Sequence, residues 1–261
     1  MTDETTKEKY EGHGNNWAAF GEFGEPEFVS MGKKIIEDNK AIVKTQGELF
    51  GMIGYEPPIR ALALIRKGEG EKSNLLDSMY PFLQIGNPIE IEISKIHEWG
   101  NKGEAIIEGS VAGPAVSFFD ALYFLNKDKY KIGNTYLFNL AGLAHSFMKR
   151  TENLEFVPES GPMKGEKMDS SRMTAYMPNH DYGGEFTFCH PFTSFDGKIE
   201  AFGSTLYRYQ FYIMSATENG AALSFPLFVS EKVLKGYKPE LNDSVTGSGW
   251  LQGYLADSLR D

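Results

Sequence analysis

The chain has one cysteine, Cys189, among 261 residues. That count excludes an internal disulfide and any zinc site built from several thiolates. No apolar run approaches the roughly 18 residues of a membrane-spanning helix. The polar stretch Met1–Asn16 carries no apolar core of a secretory signal, so a cytoplasmic chain without a membrane partner is expected. A glycine-rich phosphate loop ending in Gly-Lys-Ser or Gly-Lys-Thr is missing, and Gly12 and Gly14 lack a strand-turn-helix context. Nucleotide hydrolysis of that type is therefore not expected. Positive charge is also in short supply: 26 Lys and Arg face 36 Asp and Glu, a net charge of −10. Phosphate backbones need clustered cations, and the cluster Lys127, Lys129 and Lys131 is interrupted by Asp128, as in a solvated turn. Nucleic acid is not an expected partner, and no motif calls for a cofactor.

Aromatic residues and glycine are abundant. With 19 Phe, 13 Tyr and 28 Gly, and 41% hydrophobic residues, the composition is that of a folded, sheet-rich protein. The clearest pattern runs from Glu104 to Ala144. There Ala105, Ile107 and Val111 lie among glycines, an apolar run from Val116 to Leu125 reads as a buried strand, and a turn at Asn126–Lys129 leads to a strand from Tyr130 to Leu140. The start of that last strand, Ile132-Gly133-Asn134-Thr135-Tyr136, is echoed by Ile85-Gly86-Asn87-Pro88-Ile89 and by Leu241-Asn242-Asp243-Ser244-Val245. Each has an apolar residue, a turn pair and a spacer before a strand, which suits reuse of strand-turn-strand units in small Greek-key barrels.

Residues 1–27 read as an irregular segment, in which Trp17, Phe20, Phe23 and Phe28 can pack back on the domain. Ser30 can cap a helix bearing Ile35, Ile36, Ile42 and Val43 on one side, but a poorly regular start is favoured, followed by a hairpin around Gln46-Gly47. Short helices are expected from Pro58 to Arg66 and around Leu75, Leu76 and Met79, the latter ended by Pro81. Ile89–Ile96 alternates as a half-buried strand. The stretch 151–171 reads as a long loop. Leu206–Met214 is a strand with Tyr207, Tyr209, Phe211 and Ile213 on one face and Arg208, Gln210, Tyr212 and Met214 on the other. Asn219-Gly220 joins it to the next strand as a hairpin, and Val245–Leu255 closes the chain.

The densest set of potential ligands is His180, Asp181, Glu185, Cys189 and His190. A histidine–carboxylate set can hold a divalent metal through His180, Asp181 and His190, and a Cys–His pair can make a reactive thiolate. Neighbouring strand residues point to opposite faces, however, so Cys189 and His190 cannot pair directly. His97 and His145 have no partner in local sequence. Asp120, inside an apolar run, must be paired, hydrogen-bonded or protonated. Tyr207, Arg208, Tyr209 and Tyr212 form the candidate ligand-binding set, although inward core packing of Tyr207, Tyr209 and Phe211 is the plainer reading.

The resulting expectation is a mainly β fold of antiparallel meanders forming two related small barrel-like halves of the oligomer-binding kind, with a few short helices near the N-terminus. The halves, about 85–148 and 186–257, belong to one compact unit spanning 28–257 and are joined by the 151–171 loop. The expected function is binding or protein interaction without catalysis, with a protein or small ligand as partner. The alternative is a metal- or Cys-dependent hydrolase built on the His180–His190 cluster.

Overall fold

The computed structural model describes residues 13–21, 23–38, 40–68, 73–151, 155–157, 164–169, 173–179, 183–213 and 223–259. Two helices open the chain, α1 (Gly14–Ala18) and α2 (Glu25–Glu37). Antiparallel strands β1 (Ile42–Gln46), β2 (Leu49–Gly54), β3 (Ile59–Arg66) and β4 (Leu75–Leu83) form a four-stranded sheet in that order. Next come β5 (Asn87–Glu98), β6 (Ala105–Ser110) and β7 (Ala115–Asp120), the short helix α3 (Tyr123–Asn126) with a 3₁₀ turn over Lys127–Lys129, and the long β8 (Thr135–Lys149). The two-residue strands β9 (Glu155–Phe156) and β10 (Met168–Asp169) pair with each other. The chain ends with β11 (Ala175–Pro178), β12 (Glu185–Pro191), β13 (Phe195–Ala201), β14 (Ser204–Ile213), β15 (Leu223–Ser230), helix α4 (Glu231–Leu234) and β16 (Ser244–Leu255).

The protein is thus mainly β and largely antiparallel, with a few short helices. No helix among the described residues is long and apolar enough to cross a membrane. The large sheet runs β11-β12-β16-β7-β6-β5-β8-β15-β14-β13, and β16 pairs with β8 as well. β16 therefore has three neighbours. Its first half lies antiparallel to β12, its second half touches β7 in parallel at Gln252 and Gly253, and its whole length pairs with β8. Three close approaches permit this. A Cβ on Gly247 would meet the Ser146 carbonyl at 2.1 Å, one on Gly249 the Leu143 carbonyl at 2.8 Å, and one on Gly253 the Phe118 ring at 2.6 Å.

The three sequence echoes open β8, β5 and β16 respectively, and these strands lie side by side. Gly133 (φ 83°) and Asn242 (φ 69°) take the left-handed turn positions that suit them. One apolar cluster draws on both halves of the sequence: Ile91, Phe118 and Phe138 pack with Phe186, Phe188, Tyr209 and Phe211. The small sheet lies between two layers. Ile59, Ala61 and Ala63 face Trp17, Met31 and Ile35, while Leu62, Leu64 and Tyr80 face Phe119, Trp250 and Tyr254.

Several expectations are corrected. Both short helices expected between Pro58 and Pro81 are strands, β3 and β4. Apolar residues there serve both faces of a sandwiched sheet, so the helix-like run of hydrophobics reflects double burial. Pro81 sits within β4, at the edge of the small sheet, where a missing N–H is tolerated. The apolar run from Val116 is strand only to Asp120, and Asn126–Lys129 is helical. The segment read as irregular contains α1, and Ser30 lies inside α2, which begins where the Gly24 N–H donates to Glu27 Oε2 at 2.9 Å. The hairpin around Gln46-Gly47 forms, with Gln46 opposite Leu49. β14 and β15 pair as expected, while Met214, Asn219-Gly220 and much of 151–171 lie outside the described residues.

Candidate functional site

The aromatic strand divides its candidate residues among four places. Tyr209 and Phe211 are fully buried in the main core. Arg208 is half-buried and donates from Nε to Asp196 Oδ1 at 2.8 Å. Tyr212 packs edge-on against His190, with ring centroids 4.5 Å apart. Tyr207 alone reaches a groove, one of about 610 Å³ whose walls include Phe195, Tyr207, Leu234, Tyr237 and Pro239.

The groove is built by the turn from β15 into α4. Ser230 Oγ caps α4 by accepting from the Val233 N–H at 3.2 Å, and Lys235 and Gly236 end it in left-handed conformations. That reversal brings Tyr237 back toward β14. Phe195 stacks on Tyr207 at 5.0 Å, and the Tyr207 hydroxyl donates to Glu231 Oε1 at 2.9 Å. This bond raises the Tyr207 phenol above its ordinary range. Tyr237 donates to Asp243 Oδ2 at 2.8 Å, and Lys149 Nζ pairs with Asp243 Oδ1 at 2.5 Å. The Lys149 bond, with the Glu240 N–H and Tyr237, holds the Asp243 carboxyl down at about 2. One wall of the groove is therefore pinned to the start of β16. Three aromatic rings, Phe195, Tyr207 and Tyr237, and the Glu231 carboxylate line a common space there, a surface able to hold an apolar group with a polar or cationic edge.

Among the hydrolase candidates, His180 and Asp181 lie outside the described residues. His190 is fully buried, its Nδ1 lies 2.7 Å from the Pro191 carbonyl, and the Tyr209 hydroxyl also reaches Nδ1. Burial lowers its pKa, while the Pro191 and Tyr212 carbonyls act in the opposite direction. Cys189 is on the other face of β12, with its sulfur 3.6 Å from the Met173 carbonyl. No group of three His, Cys, Asp or Glu side chains among the described residues could hold a metal ion. The sequence read His190 and the aromatic strand as separate candidates, and the structure packs them together.

Two other histidines gain distant partners. His97 Nε2 lies 2.7 Å from Glu108 Oε1 across β5 and β6. His145 is the extra residue of a bulge, since Ser146 faces Ser248 while Ala144 faces Gly249. The bulge turns His145 into a cavity of about 310 Å³ lined by Ala18, Ala19, Glu185 and Ser248. Its Nδ1 is 3.9 Å from Glu185 Oε1, its Nε2 is buried with no hydrogen-bond partner among the described residues, and burial lowers its pKa to about 4. Burial also raises the Glu185 carboxyl. Ser248 shares its hydroxyl with Ser146 at 2.9 Å rather than with the imidazole. The trio has the residue types of a nucleophilic relay without its hydrogen bonds. No local signal marks it, because its members lie on three strands far apart in sequence.

Comparison with protein-family models, with curated proteins and with solved structures finds no match for this chain.

Proposed function

We propose that this chain is a non-catalytic binding protein of the cytoplasm, and that the groove between β14 and α4 holds a protein segment or a small ligand. The observation that carries the reading is the pair of aromatic rings, Tyr207 stacked on Phe195, set beside the Glu231 carboxylate in a space of about 610 Å³. That volume is within the usual range for small-ligand sites, which combine apolar walls with a few placed polar groups. We further propose that β5, β6, β7, β16 and β8 form a partly open barrel of the oligomer-binding kind. In support, each of these strands pairs with the next and β8 pairs again with β5, with β7 and β16 parallel and α3 between β7 and β8. The barrel reading does not itself fix the ligand, since one fold serves many functions.

The test is a ligand-observed NMR screen of small fragments and short peptides against wild type, Tyr207→Ala and Tyr207→Phe. The expected result is a set of binders weakened about tenfold or more by Tyr207→Ala, a loss of about 1.4 kcal/mol. Tyr207→Phe keeps the ring and drops the bond to Glu231, so binders that use only stacking survive it. Binders indifferent to Tyr207→Ala, or no binders at all, would reject the groove as the site.

A further inference from the structure

His13 lies in a Gly12-His13-Gly14 step, and its imidazole is enclosed by four aromatic rings. The ring centroids lie 4.7 Å away for Tyr80, 4.9 Å for Phe119, 5.1 Å for Trp99 and 6.0 Å for Trp250. One end of the box is the Glu104 carboxylate, 1% exposed. Its Oε1 accepts from His13 Nε2 at 2.6 Å, and Asn101 Nδ2 donates to Oε2. The remaining ring nitrogen, Nδ1, lies 3.4 Å from Asn16 Nδ2.

The walls hold their positions through bonds that do not involve His13. The Tyr80 hydroxyl donates to the Ala121 carbonyl at 2.9 Å, and Trp250 Nε1 donates to the Gly183 carbonyl at 2.9 Å. The Trp99 N–H donates to the Glu104 carbonyl at 2.9 Å, closing the turn that presents both residues. Helix α1 has its own anchor, Trp17 Nε1 donating to the Met79 carbonyl at 3.0 Å. A buried carboxylate requires a donor, and aromatic faces within about 6 Å favour a cation.

We propose that Tyr80, Trp99, Phe119, Trp250 and Glu104 form a binding cage for a small organic cation bearing an N–H, of the imidazolium or alkylammonium class, in which His13 is a tethered occupant. Gly14, without a Cβ at the first position of α1, gives the backbone freedom to swing His13 out while Trp17 keeps α1 seated. The tether acts as a local concentration of competitor, on the order of millimolar for a short flexible link, so an outside ligand must exceed that threshold to enter. The cage stands apart from the groove beside Tyr207 and does not depend on it.

The experiment is thermal denaturation of wild type and His13→Ala with imidazole, methylammonium or an equal concentration of sodium chloride. Imidazole and methylammonium are expected to raise the Tm of H13A by several degrees over the chloride control and to move wild type much less. Adding Glu104→Gln to H13A is expected to abolish the shift. His13→Gly is read in the same way should H13A not fold. Equal Tm in all three solutions for the folded variant would overturn the proposal. So would failure of both variants to fold with or without imidazole, which would make His13 purely structural.

Discussion

Asp120 ends β7 without solvent contact, and burial pushes its carboxyl up to about 7 although the Tyr130 hydroxyl and the Leu122 N–H both donate to it. A folded-state pKa above the unfolded value near 3.8 gives stability that is full below 3.8 and lost as pH rises through about 7. His145 behaves in the opposite way. Its folded pKa of about 4 lies below the ordinary 6.5, so stability is lost as pH falls from 6.5 toward 4. Each shift is about three units or slightly less, on the order of 3–4 kcal/mol. Between pH 4 and 6.5 the two slopes oppose and partly cancel. Urea denaturation across this range is therefore expected to show Asp120→Asn losing stability relative to wild type as pH falls, and His145→Gln gaining it. Parallel curves for wild type and both variants would contradict these assignments. The need for partners at Asp120 is legible in the sequence, because a carboxylate inside Phe118–Leu125 must be satisfied. The depressed His145 is not, because the bulge that buries it comes from pairing with β16.

At the scale of elements, the strands that alternate apolar and polar residues are legible, β5 and β14 most clearly. β3 and β4 are not. Ala61–Ile65 is apolar on both faces because α1 and α2 cover one side and the Phe119–Trp250 layer the other, which removes the alternation. The turn before β12 is readable as Gly183-Gly184, yet its consequence is tertiary. Gly184 has φ 85°, and a Cβ there would stand 2.7 Å from the Phe119 amide nitrogen and 3.0 Å from the Leu251 carbonyl. Gly236 has a similar φ of 84° with open space around it. Gly236→Ala is expected to cost about 1 kcal/mol, the conformational penalty alone. Gly184→Ala adds a collision with two backbones and is expected to cost several-fold more. Chemical denaturation of the pair measures the difference, and equal losses would show that the β12–β7 approach is not tight.

In the whole molecule, β16 joins what the order of the chain separates. It is the last strand, yet it lies against β7 and β8 from the first half and β12 from the second. Residues 1–150 without it leave β7 and β8 each short of a neighbour, and residues 151–261 leave β16 without β8. Neither fragment is expected to fold alone, while mixing the two is expected to restore protease resistance and the β signal in circular dichroism. A folded, protease-resistant 1–150 fragment would show that β16 is dispensable to that half.

The sequence by itself determined the β-rich class, the starts of β5 and β16, the opposite facing of Cys189 and His190, and the enclosure of Tyr209 and Phe211. These follow from turn chemistry and two-residue alternation, which act between near neighbours. The tertiary structure alone decided that β16 pairs with β8, that His145 faces Glu185, that Tyr207 opens on a groove, and that His13 enters an aromatic box. Each depends on which distant strands align and in what register, and that choice is made by burying many apolar side chains at once, a sum no local stretch records.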